Sequence, residues 1–508
     1  MAINHLHFIN VHTSFSRSHQ DIESMQVIKN YRGFAKAAYL CSGLILGLTL
    51  SFTYSALAEK MVKPQFPIDD LRAFAEVFGK IKSDYVEPVE DKKLISEAIS
   101  GMLTGLDPHS TYLDPDAFKD MQASTQGEFG GLGIEVAMED GLVKVVSPIE
   151  DSPAFKAGIK SGDLIMKLDE TPVKGMTLND AVKRMRGKPD TNITLTVLRK
   201  NEAKPLTFTL TRAIIKNKSV KYKLIEPGYA YARVTQFQEH TGPDLAKAIK
   251  TMHTENQGAF KGFVLDLRND PGGLLNGAVG VSAAFLPKDA LVVYTEGRVA
   301  DSKMRLTVNP ENYVRGGGAQ GDYMSDIPDD LKTVPMVVLI NAGSASASEI
   351  VAGALQDHKR ATVMGIQSFG KGSVQTIMPM NNGAAIKLTT ARYFTPNGRS
   401  IQAKGIVPDI IVEDGSDPSH SIHEADLNRH LSNPKEGEAG KNEAGKLSKE
   451  ETKEKMNEKK FAETKGPIEP ASADDFQFVQ AMNFLKGKPV IKSEAAKVDA
   501  KNEAAPQK

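Results

Sequence analysis

NAGSASASEIVAGALQDHKRATVMGIQSFGKGSVQ, residues 341–375, sets three alternating serines before an apolar helical pattern, then a strand-like run, then a lysine between two glycines. Helix followed by apolar strand is the grammar of an α/β unit. Small residues keep side chains out of the way, so backbone and hydroxyl groups can approach a ligand closely. A hydroxyl cluster and one isolated lysine are the parts of a Ser/Lys nucleophile pair. They are equally the parts of a helix cap and a phosphate loop, so the rest of the chain must arbitrate.

Two motif matches fail on their surroundings. Gly365 to Lys371 fits G-x-x-x-x-G-K, but the next residue is Gly372 rather than a magnesium-binding Ser or Thr. The lysine should also open a helix, whereas Ser373–Ile377 and Ala384–Tyr393 alternate like two strands around an Asn381-Asn382-Gly383 turn. Ser368 to Lys371 fits S-x-x-K, but the S-D-N and K-T-G partners of that chemistry are absent from the chain. There is no G-x-S-x-G elbow and no histidine in a recognisable triad motif, which leaves a lysine as the better base. To accept a serine proton it must be neutral, and a shift from about 10.4 to roughly 7–8 implies roughly 4 kcal/mol, which burial can supply. On a strand, Lys371, Ser373 and Gln375 share a face, so Gln375 can orient the lysine. Ser346-Ala-Ser-Glu349 is also a capping box, so local physics does not choose among Ser344, Ser346 and Ser348.

Working upstream, Phe263–Leu267 is an apolar, buried-type strand that runs into Arg268-Asn-Asp-Pro-Gly-Gly-Leu-Leu275. Pro-Gly-Gly between a strand and a helix presents free N–H groups, a favourable seat for an anion or developing oxyanion; a plain tight turn is the alternative. Residues 295–330 are polar and Gly-rich, consistent with a mobile flap. Together, 213–430 read as a mixed α/β core.

Residues 127–212 read as an inserted β-rich module. Gly131-Leu132-Gly133-Ile134 leads into a strand, Ser152-Pro-Ala starts a short helix, Thr177–Arg186 has a helical pattern, and further strands follow. The whole order of elements resembles a PDZ domain, in which loop N–H groups hold a peptide's terminal carboxylate and the peptide adds a strand. Asp69–Lys82 and Lys93–Leu106 are helical patterns, giving an N-terminal helical region over 59–126. The turn-rich DPHSTYLDPDAF from Asp107 reads as a capped turn rather than a catalytic element.

The ends have other compositions. Lys29, Arg32 and Lys36 precede an apolar run closing on Ala56-Leu57-Ala58, the pattern of a secretory signal over 1–58, with a start at Met25 giving a more ordinary leader. An uncleaved membrane anchor is the alternative. The single cysteine, Cys41, lies inside this segment, so a mature chain could form no disulfide; export without cysteine fits a bacterial periplasm. The segment 431–473, dense in Lys, Glu, Asn and Gly, reads as disordered, and 474–508 as an amphipathic helix and tail. Across 508 residues, 63 basic side chains balance 63 acidic ones, which argues against a nucleic-acid partner. His and Cys show no metal-ligand spacing, and no metal or cofactor is required.

GSASASEI, FGKGSVQ, LRNDPGGLL, DPHSTYL and an inserted PDZ-like module together resemble the carboxyl-terminal processing peptidases, also called tail-specific proteases, over roughly residues 65–415 and the helix near 474–487. The resemblance implies that the nucleophile is the middle serine, Ser346, 25 positions before the base Lys371, with Gln375 four residues beyond it. It implies oxyanion donors at Ala347 and at Gly272 or Gly273. Asp270 stands where the family pattern has Asn. The implied activity is that of a periplasmic serine endopeptidase, free or held at the inner membrane. Its partners are protein substrates with accessible C-termini held at Gly131, Leu132, Gly133 and Ile134. An adaptor protein and homo-oligomerisation through the N-terminal helices are further candidates for interaction. A non-catalytic or adaptor-dependent PDZ scaffold is the rival reading.

Overall fold

The computed structural model describes residues 67–149, 151–200, 202, 204–314, 321–413, 421–435 and 468–492. The expected leader and most of the charged segment, 436–467, lie outside the described residues. The chain divides into two compact units, residues 1–94 and 95–508. In the first, helix α1 (Ile68–Asp84) carries Leu71, Phe74 and Ile81 at helical spacing, and none of its residues is buried. Helix α2 (Asp91–Thr104) passes from the first unit into the second.

The second unit is built on two sheets and an insertion. Strands β1 (Thr111–Leu113) and β2 (Glu128–Gly131) flank helix α3 (Pro115–Gln126), which Asp114 caps by accepting from two main-chain N–H groups. The insertion follows: β3 (Ile134–Glu139), β4 (Leu142–Pro148), α4 (Pro153–Lys156), β5 (Leu164–Leu168), β6 (Thr171–Pro172), α5 (Leu178–Met185), β7 (Asn192–Leu198) and β8 (Leu206–Thr211). Its sheet order is β3-β4-β5-β7-β8, with β3 at an edge. Val143, Val145, Ile165, Leu168, Ile193, Leu195 and Val197 alternate inward against Ala181 and Met185 of α5, giving the module its own core. The chain leaves through β9 (Ala213–Lys216), which pairs antiparallel with β2, and Asn217 N–H donates to Gly127 O at 2.9 Å.

The core sheet runs β10 (Val220–Glu226), β11 (Tyr229–Val234), β12 (Gly262–Asp266), β15 (Met336–Ile340), β16 (Thr362–Gly365) and β19 (Ile410–Ile411), parallel from β11 onward. Every residue of β12 and β15 is buried because both faces are covered, which is why these strands read as unbroken apolar runs. Phe263, Leu265, Met336 and Val338 pack toward α6 (Thr241–Asn256), α7 (Leu275–Ala283) and α9 (Ala347–Asp357). Val264, Val337 and Leu339 pack toward α10 (Phe476–Leu485) through Phe478 and Met482. Arg268 clamps this last helix: its guanidinium donates to Asp475 at 2.8 and 2.6 Å and to Asp266 at 3.0 and 2.7 Å.

A second, antiparallel sheet joins β1, β18 (Ala385–Phe394), β13 (Leu291–Gly297) and β14 (Arg305–Thr307), with β17 (Ser373–Pro379) also on β18. Two expectations change here. The segment 295–330 is not a bare flap: its β14 pairs back onto β13, which ends inside it at Gly297, and a short helix α8 (Pro310–Tyr313) follows, while 315–320 lie outside the described residues. The hairpin forms as expected, but β17 starts at Ser373, so Lys371 sits before the strand in a turn with Gly370 at φ +100°. A bulge between Val374 and Gln375 further breaks the alternation that would have put Lys371 and Gln375 on one face.

Candidate active site

The three serines separate by what their hydroxyls hold. Ser344 Oγ donates to Leu267 O at 2.8 Å and Ser348 Oγ to Asp270 O at 2.9 Å, and both side chains are buried. Ser346 is half-buried and lines a cleft of ≈ 1100 Å³ together with Lys371, Gln375, Gly272, Gly273 and Ala347. Its backbone is at φ 55°, ψ −111°, a conformation that disfavours any residue with a Cβ by about 1–3 kcal/mol and persists only where the surroundings enforce it.

Glu349 supplies that enforcement. Its fully buried carboxylate accepts from Ser346 N–H at 2.7 Å and Lys371 N–H at 3.0 Å on one oxygen. The other oxygen accepts from Ser368 Oγ at 2.6 Å and Gly370 N–H at 2.7 Å. The capping-box carboxylate thus fastens the lysine's turn to the serine's. Burial pushes the Glu349 carboxyl up to about 7 against these four hydrogen bonds, which pull it down. Gly372 closes the turn on the other side: a Cβ there would lie 2.4 Å from Gln402 N, and its N–H donates to Gln402 Oε1 at 3.0 Å.

Lys371 has the surroundings of a base. Burial, and then the neighbouring ammonium of Lys387, lower it from 10.5 to about 8, while Glu424, Glu349 and Asp107 pull the other way. A lysine titrating near 8 is neutral in about a tenth of molecules at pH 7, enough to take a serine proton. Tyr393, buried beside the pair, donates its hydroxyl to Lys371 O and is in hydrogen-bond contact with the Ser346 side chain. Gln375 Nε2 donates to Ser373 Oγ at 3.0 Å and Thr389 Oγ1 at 3.1 Å, leaving its carbonyl oxygen as the acceptor.

The Pro-Gly-Gly turn stands against the serine. A Cβ on Gly272 would lie 2.8 Å from Ser346 Cβ and 2.9 Å from Ala347 N, so only glycine permits this approach. Gly272 N–H is committed to Asp270 Oδ1 at 2.8 Å, which makes Gly273 N–H the better partner for Ala347 N–H in holding an oxyanion.

Sequence reasoning missed the groups behind the lysine. Asp107 caps its turn as expected, accepting from His109 and Ser110 N–H at 2.9 Å each. It also accepts from Thr389 Oγ1 at 3.0 Å, and Thr389 in turn holds Gln375. His109 Nε2 bonds Glu424 Oε2 at 2.8 Å, and Glu424 Oε1 accepts from Gln402 Nε2 at 2.9 Å. The DPHS motif was the available signal, since its polar side chains exceed what a capped turn requires.

At the entry to the insertion, Gly131 closes β2, Leu132 and Gly133 form the turn, and Ile134 opens β3. Gly133 is at φ +74°, and a Cβ added to it would lie 2.2 Å from Ser152 Cβ. Ser152 Oγ donates to Gly133 O at 3.1 Å. Leu132 O accepts from Ala154 N–H at 3.0 Å. The free edge of β3 lies beside this loop, as strand addition requires.

Family models match the chain in three places: peptidase family S41 over residues 228–412, PDZ domain over 130–210, and the N-terminal domain of the activating protease CtpB over 50–117. The chain is 46% identical over 408 residues to a carboxy-terminal-processing protease of Bartonella bacilliformis, covering 79% of this chain and 90% of that one. It is 37% identical over 342 residues to the carboxy-terminal processing protease CtpB of Bacillus subtilis, covering 66% and 67%. Among solved structures, a photosystem II D1 C-terminal processing protease is 29% identical, covering 65% of this chain and 84% of that one, with a TM-score of 0.38.

Proposed function

The chain belongs to the carboxy-terminal processing proteases of peptidase family S41, serine proteases, and on that premise we propose that Ser346 is its nucleophile and Lys371 its general base. The observation that carries this reading is the Glu349 carboxylate, which binds the main chains of both residues beside one cleft. Neutral Lys371 takes the Ser346 proton as Oγ attacks the scissile carbonyl. Ala347 N–H and a glycine N–H of the Gly272-Gly273 turn hold the oxyanion. The lysine ammonium then gives its proton to the leaving amine, and water repeats the cycle on the acyl-enzyme. Gln375 supports the lysine through the carbonyl oxygen that its amide bonds leave available.

The substrate is a protein with an accessible C-terminus. The loop Gly131–Ile134 captures the terminal carboxylate, the tail adds to the edge of β3, and nearby peptide bonds reach Ser346. The enzyme works in the periplasm, exported by the leader, with an adaptor delivering some substrates. The exposed apolar stripe of α1 pairs subunits, an assignment that a monomer in sedimentation equilibrium would refute.

The deciding experiment is cleavage of a tailed protein by wild type, Ser346→Ala and Lys371→Ala. Wild type cuts and both variants lose at least about 10³-fold. Alanine variants that cut normally remove the dyad assignment. A wild type that cuts nothing favours the adaptor-dependent or scaffold reading.

A further inference from the structure

Asp270 immediately precedes the Pro271-Gly272-Gly273 turn, is fully buried, and has one carboxyl oxygen, Oδ2, without a hydrogen-bond partner. The other oxygen accepts from Gly272 N–H at 2.8 Å. Its main-chain carbonyl accepts from Ala345 N–H at 3.0 Å and Ser348 Oγ at 2.9 Å, one attachment on either side of Ser346. Asp270 therefore joins the oxyanion turn to the nucleophile's own segment.

The charged groups around it do not neutralise a carboxylate. Arg233 on β11 attracts a negative charge at this position and Asp266 on β12 repels one. Arg268, two residues earlier, turns its guanidinium to Asp266 and Asp475 instead. The serine segment 341–348 and helix α7, both packed here, contain no acidic or basic side chain; helix α9 brings Glu349, whose two oxygens are taken by Ser346, Ser368, Gly370 and Lys371 and whose carboxyl burial raises to about 7. A buried anion with an unpartnered oxygen is disfavoured far more strongly than a neutral carboxyl in the same place. Burial pushes the Asp270 carboxyl up to about 8, against the Gly272 N–H and the Ser348 hydroxyl, which pull it down.

Building on the Ser346–Lys371 reading, we infer that Asp270 acts in its protonated form as a positioning residue. It fixes Gly272, aims Gly273 N–H at the oxyanion, and switches the site off when it ionises. The protonated acid does the work of an amide. Its ionised form sets a second negative charge beside the one that develops on the substrate oxygen, so the turn stops favouring the transition state.

The test is kcat/KM of the full chain on a tailed protein from about pH 6.5 to about 10, for wild type, Asp270→Asn and Asp270→Ala. Lys371 is neutral above about 8 and Asp270 below about 8, so wild type follows a bell centred near pH 8. At about pH 9.5 only about 3% of Asp270 is protonated, and Asp270→Asn outpaces wild type by up to about 30-fold. The Asp270→Asn profile rises to a plateau. Asp270→Ala, which drops the Gly272 bond, is slower than Asp270→Asn at every pH. An alkaline limb that survives in Asp270→Asn, or a wild type without one, overturns the inference. A second readout needs no turnover. In a Ser346→Ala background, the infrared difference between chains with and without Asp270→Asn shows a protonated carboxyl band near pH 7 that is gone near pH 9.5. Absence of that band also overturns the inference. Failure of wild type to cut at any pH favours the adaptor-dependent or scaffold reading instead, and the infrared band still decides the protonation of Asp270.

Discussion

Replacing Lys371 by Met separates what burial does to the fold from what it does for the chemistry. The ammonium is lowered from 10.5 to about 8, so its charged form is disfavoured in the folded chain by about 3 kcal/mol. The unfolded lysine bears no such penalty. Below about pH 8 both states are charged and the folded state carries the whole cost. Between about 8 and 10.5 the unfolded chain binds a proton that the folded chain has released, so wild-type stability climbs with pH across that window. Met keeps the apolar stem and has no charge to bury. In a Ser346→Ala background, which removes the proposed nucleophile, Lys371→Met is therefore more stable by about 3 kcal/mol near pH 7, and the gain vanishes towards pH 10.5. Urea unfolding at several pH values measures it, and the same substitution abolishes cleavage in the Ser346 chain. A stability difference that stays flat between about pH 8 and 10 would refute burial as the source of the neutral amine.

Three further outcomes follow from the same geometry. Lys387→Gln removes the second-largest influence lowering Lys371, so the acid limb of the pH–rate profile moves to higher pH; an unchanged or lowered limb would contradict that influence. Gly133→Ala forces a Cβ against Ser152 at a φ of +74°, so binding of a C-terminal peptide to the insertion falls at least about 10-fold, read by fluorescence anisotropy. Unaltered peptide affinity would place tail capture elsewhere. Asp475→Ala leaves the Arg268 guanidinium half-paired in a buried setting and removes the cap that α10 receives from Asp475, a loss of about 3–5 kcal/mol in denaturant unfolding; less than about 1 kcal/mol would mean that α10 is held by its apolar face alone.

What the sequence disclosed was local. The apolar runs of β12 and β15, the Pro-Gly-Gly turn and the serine and lysine segments each carry their signal within a few residues. Alternation does not carry Lys371 and Gln375 to one face, because Lys371 lies ahead of β17 and a bulge falls between Val374 and Gln375, yet both line the same cleft. Glu349 was visible as a helix cap, but its bonds to Ser368, Gly370 and Lys371 exist only once the lysine turn has folded back on it. His109 and Glu424 are 315 positions apart, and no period or motif joins them. The charge around Lys371 belongs to the same category: Asp107, Lys387 and Glu424 converge from three distant segments.

The paired strands β2 and β9 bring Gly127 and Asn217 within one hydrogen bond of each other. To the rest of the chain, the whole insertion is therefore an oversized hairpin turn whose two ends are already closed. Lengthening a loop whose ends meet adds little entropy, roughly 0.6 kcal/mol per doubling. Evolution or an engineer can thus exchange the PDZ module at this neck while the residues lining the cleft keep their places.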